Sequence, residues 1–136
     1  METNEQPKLK VLIADDEPLA RERLRDLLAG DAEIGAVAEA KNGSETVGKI
    51  LAETPDILLL DVQMPHLNGL QVLENVGAEI LQRIGAIIFV TAFDAHALRA
   101  FDFHALDYLL KPFARERFAE MLNRAKNHIL IKSLAA

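Results

Sequence analysis

Residues 58–65 read LLLDVQMP. Three leucines, preceded by Ile57, make a short apolar run of the kind that becomes a fully buried strand, and Pro65 soon halts any regular structure. Strands that read as near-continuous apolar runs belong to parallel sheets covered on both faces. The run stops on Asp61. Either a strand has simply surfaced in a turn that suits Asp, or a buried strand is delivering a charge to a particular place.

The rest of the chain repeats the pattern. LKVLIA at 9–14, AVA at 36–38, AIIFV at 86–90 and DYLL at 107–110 are further short apolar runs bounded by polar or turn residues. Between the five runs lie helical spacings: Ala20, Leu24, Leu27 and Leu28; Val47, Ile50 and Leu51; Leu73, Val76 and Ile80; Ala97, Leu98 and Phe101; Phe118, Met121, Leu122, Ala125 and Ile129. Alternation of strand and helix with right-handed crossovers predicts a doubly wound three-layer (βα)5 sandwich, flavodoxin-like, with parallel strand order 2-1-3-4-5. In such a sheet ligands bind beyond the carboxyl ends of the strands, where the order reverses, here between the first and third strands.

Composition narrows the function. With 136 residues the chain fits one domain, and 50% apolar against 26% charged residues excludes a disordered tail. A net charge of −6 gives no basic surface for gripping nucleic acid directly. The absence of cysteine excludes disulfides and thiol catalysis. No apolar stretch approaches the roughly 20 residues of a membrane span, and METNEQPK is polar rather than signal-like, so a soluble cytoplasmic domain with a flexible segment at 1–8 is expected.

Four of the five strand ends carry chemistry. The first delivers Asp15 and Asp16, the third Asp61, the fourth Thr91 and the fifth Lys111. Any one of these alone is a solvated loop residue more often than a site residue; their meeting on one rim reverses that judgement. Carboxylates brought together repel by about 4 kcal/mol per pair at 4 Å in an effective dielectric near 20. A divalent cation relieves this best, and an all-oxygen ligand set favours Mg²⁺, Mn²⁺ or Ca²⁺ over zinc. An ammonium beside such a cluster is useful when more anionic charge arrives, which points to phosphate: Asp61 as nucleophile, with Thr91 and Lys111 binding the phosphoryl oxygens.

DD at 15–16, LLLDVQMPHLNG through Gly69, VTA at 90–92 and DYLLKPF at 107–113 together resemble the receiver domain of bacterial two-component response regulators, in order and over nearly the whole chain. The resemblance implies that Asp61 accepts a phosphoryl group from a sensor histidine kinase. It further implies Mg²⁺ held by Asp15, Asp16, Asp61 and the backbone carbonyl of Gln63, with Asp16 ligating directly and Asp15 largely through water. Thr91 and Lys111 would bind the phosphoryl group, Tyr108 would be the switch aromatic, and Lys111-Pro112 would be cis. DYLLKPF followed by RERFAEMLNRAK is similar to regulators of the LytTR type, implying a receiver over 9–130 and a tail at 131–136 leading to a DNA-binding output domain that is missing here. A homodimer formed on phosphorylation through the fourth helix, fifth strand and fifth helix is also expected. That face mixes Arg99, Asp102, Asp107, Arg115, Glu116 and Arg117 with Ala97, Ala100, Phe103 and Tyr108, as a self-complementary patch requires, although a solvated flank would have the same composition.

Competing signals are weaker. GSETVGKI at 43–50 satisfies GxxxxGK, yet Ile50 replaces the hydroxyl that would ligate a cation and Glu45 would sit in the anion cradle, so an Asn-Gly turn entering a helix is expected. The alternative is an aspartyl-phosphate hydrolase of the haloacid-dehalogenase kind, but Gln63 stands where the second acid of that pattern belongs. Tyr108 can equally be a packing residue. His66, His96, His104 and His128 lack metal-ligand spacing, and Ser44 and Ser133 lie in no nucleophile elbow.

Overall fold

The computed structural model describes residues 8–93 and 105–135. Strands β1 (Leu9–Ala14), β2 (Ile34–Ala40), β3 (Ile57–Leu60), β4 (Ala86–Thr91) and β5 (Asp107–Leu110) form one sheet in the order β2-β1-β3-β4-β5, with every pair parallel. The helices are α1 (Pro18–Leu28), α2 (Gly43–Ala52), α3 (Gly69–Val76), α4 (Ala78–Leu81) and α5 (Arg115–Ala135).

The opening octapeptide lies at the centre. Ile57, Leu58, Leu59 and Leu60 are all buried, and their period of two sends alternate side chains to opposite faces. Leu58 and Leu60 pack with Ile50, Val72, Leu73 and Val76 of α2 and α3. Ile57 and Leu59 pack with Leu24 and Leu28 of α1 and with Phe118, Met121 and Leu122 of α5. Each such aliphatic side chain contributes about 1.5–3 kcal/mol over remaining exposed, which makes β3 costly to shift by even one residue.

Helix starts follow local chemistry. Pro18 opens α1, where its missing N–H is no loss. Asn42 caps α2 by accepting from the Glu45 N–H at 2.8 Å, and Asn68 and Gln71 form a reciprocal capping box on α3. GSETVGKI is therefore a capped helix start. An added Cβ at Gly43 would lie 2.2 Å from the Leu67 carbonyl oxygen, so the protein's own chain fills the space in front of it.

Three features depart from the pattern read in sequence. The spacing Leu73, Val76, Ile80 predicts one helix, but the backbone breaks at Gly77, whose φ of 88° is open to glycine, leaving α3 and the short α4. Ile80 still packs on the same core, so the apolar period survives the break. The second strand is longer than AVA, running from Ile34 to Ala40 beside β1. Leu51, read as part of α2's apolar stripe, is exposed. Helix α5 continues through residues 131–135, and the Lys111-Pro112 bond is cis. The predicted helix around Ala97, Leu98 and Phe101 lies outside the described residues, as do His96 and His104.

Candidate functional site

The register of the sheet sets the site. Ala14 of β1 pairs with Leu60 of β3, so the residues that follow each strand, Asp15 and Asp61, emerge side by side. The Asp61 N–H donates to the Ala14 carbonyl at 2.9 Å and the Asp15 N–H to the Ala40 carbonyl at 3.1 Å, extending the sheet's pairing to both acids. Asp15 is 1% exposed and Asp61 4%, while Asp16 is half-buried. Carboxylate oxygens of Asp15, Asp16 and Asp61 lie within 4.8 Å of one another.

Lys111, directly after β5, reaches across the sheet to them. Its Nζ donates to Asp15 Oδ2 at 2.7 Å and Asp61 Oδ2 at 3.2 Å, with Glu17 Oε1 at 3.5 Å. Its backbone N–H donates to the Thr91 carbonyl at 2.8 Å, which seats the residue. Backbone donors fill other positions: Glu17 N–H to Asp15 Oδ1 at 2.9 Å and Gln63 N–H to Asp61 Oδ1 at 3.0 Å. Among the described residues no buried side-chain polar atom lacks a partner.

Negative charge is nevertheless in excess. Burial pushes the Asp15 carboxyl above its ordinary value, outweighing the lowering pull of Lys111 and the Glu17 N–H. Burial draws the Lys111 ammonium down, but the bond it donates to Asp15 and the charges of Asp61 and Asp15 outweigh it and hold the group above its ordinary value. The ammonium stays charged and is outnumbered by carboxylates. A hard, oxygen-seeking cation fits such a donor set, and nitrogen- or sulfur-seeking metals do not.

Gly69 closes the site from below. Its N–H donates to the Val62 carbonyl at 2.9 Å, and a Cβ there would stand 2.5 Å from the Asp61 carbonyl oxygen. Only a residue without a side chain lets α3 begin against the loop that carries Asp61. Thr91, 1% exposed at the end of β4, accepts from the Phe93 N–H at 3.1 Å. Tyr108 stacks on Phe89 with centroids 5.6 Å apart. His66, Ser44 and Ser133 are exposed and His128 is half-buried.

Two neighbours of the site escaped the sequence reading. Glu17 brings an exposed carboxylate to 3.5 Å from Lys111 Nζ, and Arg21 donates to the Asp15 carbonyl at 2.7 Å and to Glu39 at 3.1 Å, bracing the acidic turn. Glu17 stands inside DDEP, which signals it; nothing in the local sequence of Arg21 does. On the flank, Arg117 forms a bidentate pair with Asp107 at 2.8 and 3.2 Å and also donates to the Tyr108 carbonyl. These charges are paired within the chain. Arg99, Asp102, Ala97, Ala100 and Phe103 lie outside the described residues. Among the described residues no helix is long and apolar enough to cross a membrane.

Comparison with known proteins agrees with this geometry. The response regulator receiver domain family matches residues 11–123. Transcriptional regulatory protein BtsR of Salmonella typhi is 47% identical over 118 residues, which is 87% of this chain and 48% of that protein. Sensory transduction protein LytT of Oceanobacillus iheyensis is 36% identical over 127 residues, 93% of this chain and 52% of that one. The receiver domain of AraT, a response regulator from Geobacillus stearothermophilus, superposes with a TM-score of 0.80 at 32% identity, over 92% of this chain and 98% of that one. The chain spans about half the length of the curated relatives it matches.

Proposed function

The chain belongs to the response regulator receiver family, and from that premise we propose that it is a phosphorylation switch whose acceptor is Asp61. The observation that carries this reading is the convergence of Asp15, Asp16 and Asp61 within 4.8 Å, with Lys111 bonded to two of them. Asp61 acts as the nucleophile: its carboxylate oxygen forms a bond to phosphorus as the bond to a phosphohistidine nitrogen of a sensor histidine kinase breaks. Lys111 turns from Asp61 to a phosphoryl oxygen, and the Thr91 hydroxyl leaves the Phe93 N–H to do the same. Asp15, Asp16, Asp61 and the carbonyl of Gln63 would hold a Mg²⁺ ion, Mn²⁺ serving equally by chemistry, and that ion would offset charge on the carboxylate and on the entering phosphoryl group. Beyond its own phosphorylation and slow dephosphorylation, the domain turns over no substrate. Gln63, in place of a second acid, leaves no side-chain general acid two residues beyond Asp61.

The output follows from a population shift. Movement of Thr91 toward the phosphoryl group opens space beside Phe89, into which Tyr108 can turn, and the state favoured is the one with better phosphoryl contacts. We infer a homodimer through the face built from the segment after Thr91, β5 and α5, serving a DNA-binding output of the LytTR type and regulation of transcription in the cytoplasm. The relatives named as a transcriptional regulator and a sensory transduction protein support this direction. Intact-mass measurement after treatment with acetyl phosphate and Mg²⁺ tests the reading. The parent should gain one phosphoryl group, and neither Asp61→Asn nor the parent in excess chelator should gain any. Equal labelling in all three samples would overturn it.

A further inference from the structure

We propose that Glu17 is a specificity-determining residue of this site: placed at its rim against Lys111, it favours phosphodonors with a cationic nitrogen leaving group over acyl phosphates. The inference rests on the phosphoacceptor role of Asp61. Glu17 occupies the N-cap position of α1 but makes no side-chain capping bond. Its carboxylate points instead toward Lys111 Nζ, at 3.5 Å, on the solvent side of an ammonium already bound by the buried Asp15 and Asp61. The side chain is 68% exposed, against 1% for Asp15 and 5% for Asp61, so its charge faces whatever enters.

Two kinds of donor feel that charge differently. With an acyl phosphate, the phosphorus–oxygen bond to the acyl group breaks as the Asp61 oxygen–phosphorus bond forms, and a carboxylate departs with the electron pair. An anionic donor gives an anionic leaving group, and a rim carboxylate opposes both. With phosphoramidate or a protonated phosphohistidine, the phosphorus–nitrogen bond breaks and its electron pair goes to that nitrogen; the protons stay on the departing amine, or on the other ring nitrogen of the imidazole, so a neutral amine or imidazole departs. The positive nitrogen of such a donor is attracted to the same carboxylate. Glu17 also gives Lys111 a third anionic neighbour, so an entering phosphoryl group must draw the ammonium from one more competitor. A charge this exposed acts through solvent, and its influence fades with salt.

The experiment compares initial phosphorylation rates of the parent, Glu17→Gln and Glu17→Asp with acetyl phosphate and with phosphoramidate, by intact mass at saturating Mg²⁺ for each protein. Glu17→Gln should accelerate acetyl phosphate labelling by about five-fold at low ionic strength, from one exposed unit charge acting on a dianion, and the gain should shrink at high salt. Phosphoramidate labelling should stay level or slow, and Glu17→Asp should keep the parent's preference. Thermal melts should superpose, since the side chain is exposed and caps nothing. An unchanged ratio between donors in Glu17→Gln, or a change equal for both donors and insensitive to salt, overturns the proposal while leaving the acceptor role intact. Absence of labelling of the parent by either donor overturns the acceptor role itself.

Discussion

Replacing Gly69 by alanine adds one methyl group where only backbone can receive it. The new Cβ would stand 2.5 Å from the Asp61 carbonyl oxygen, 3.0 Å from Val62 Cα and 3.1 Å from the Asp61 carbonyl carbon. No rotamer change relieves contacts with main-chain atoms. Relief requires moving the first turn of α3, tied by its Gly69 N–H to the Val62 carbonyl, or moving Asp61, tied by its N–H to Ala14. Forced overpacking costs about 1–3 kcal/mol, and the stiffer unfolded chain offsets about 0.4–1 of that, for a net loss of about 1.5 kcal/mol. In a domain of this size that lowers the melting temperature by about 5 °C. Gly48→Ala is the matched control: it makes the same chemical change inside α2, with nothing within 4 Å, and should stabilise by about 0.5–1 kcal/mol. Circular dichroism melts of both variants decide the matter, and labelling by acetyl phosphate should slow in Gly69→Ala because Asp61 is displaced. A Gly69→Ala protein that melts at or above the parent, or a Gly48→Ala protein that falls alongside it, would refute the close-approach account.

The remaining predictions concern charge. Burial raises the pKa of Asp15, so at neutral pH the folded state bears an unfavourable ionisation that disappears as pH falls through the folded pKa. Asp15→Asn should accordingly raise the melting temperature without Mg²⁺, whereas Mg²⁺ should stabilise the parent and not the variant; parallel melts with Mg²⁺ and with chelator check both. Burial opposes ionisation of Asp107, but the bonds from Arg117 and the Tyr108 N–H prevail and hold its pKa below the ordinary 3.8. The pair's contribution is therefore present above 3.8 and lost as pH falls through the lowered value. Arg117→Met should cost about 1–2 kcal/mol in urea unfolding near neutral pH, with the gap to the parent closing in acid.

Much of the fold was legible because buried parallel strands announce themselves. ILLL and AIIFV have no polar position to spare, and each ends where a functional group begins. The site was legible through topology: once the strand order was inferred, Asp15, Asp61, Thr91 and Lys111 had to share a rim. What stayed hidden lacked a local signature. Gly77 does not interrupt the apolar period of Leu73, Val76 and Ile80, so a break set by its φ of 88° leaves no trace in the spacing. Leu51 fits a helical stripe that α2 does not bury. Arg21 has no local signature, because its partners, the Asp15 carbonyl and Glu39, are tertiary; Glu17 is signalled as an acid by DDEP, but its approach to Lys111, 94 residues away, is not. The Asp107–Arg117 pair was read as two charges available to a second copy, and the fold instead joins them across the turn between β5 and α5.

The central claim is that the carboxylate delivered by LLLD is the one that takes the phosphoryl group. Borohydride reduction of a phosphorylated sample converts an aspartyl phosphate to homoserine, and peptide sequencing by mass spectrometry then locates the converted residue. Homoserine should appear at position 61 alone, and only when donor and Mg²⁺ are both supplied. Homoserine at position 15 or 16, or none in protein that carries the phosphoryl mass, would contradict it.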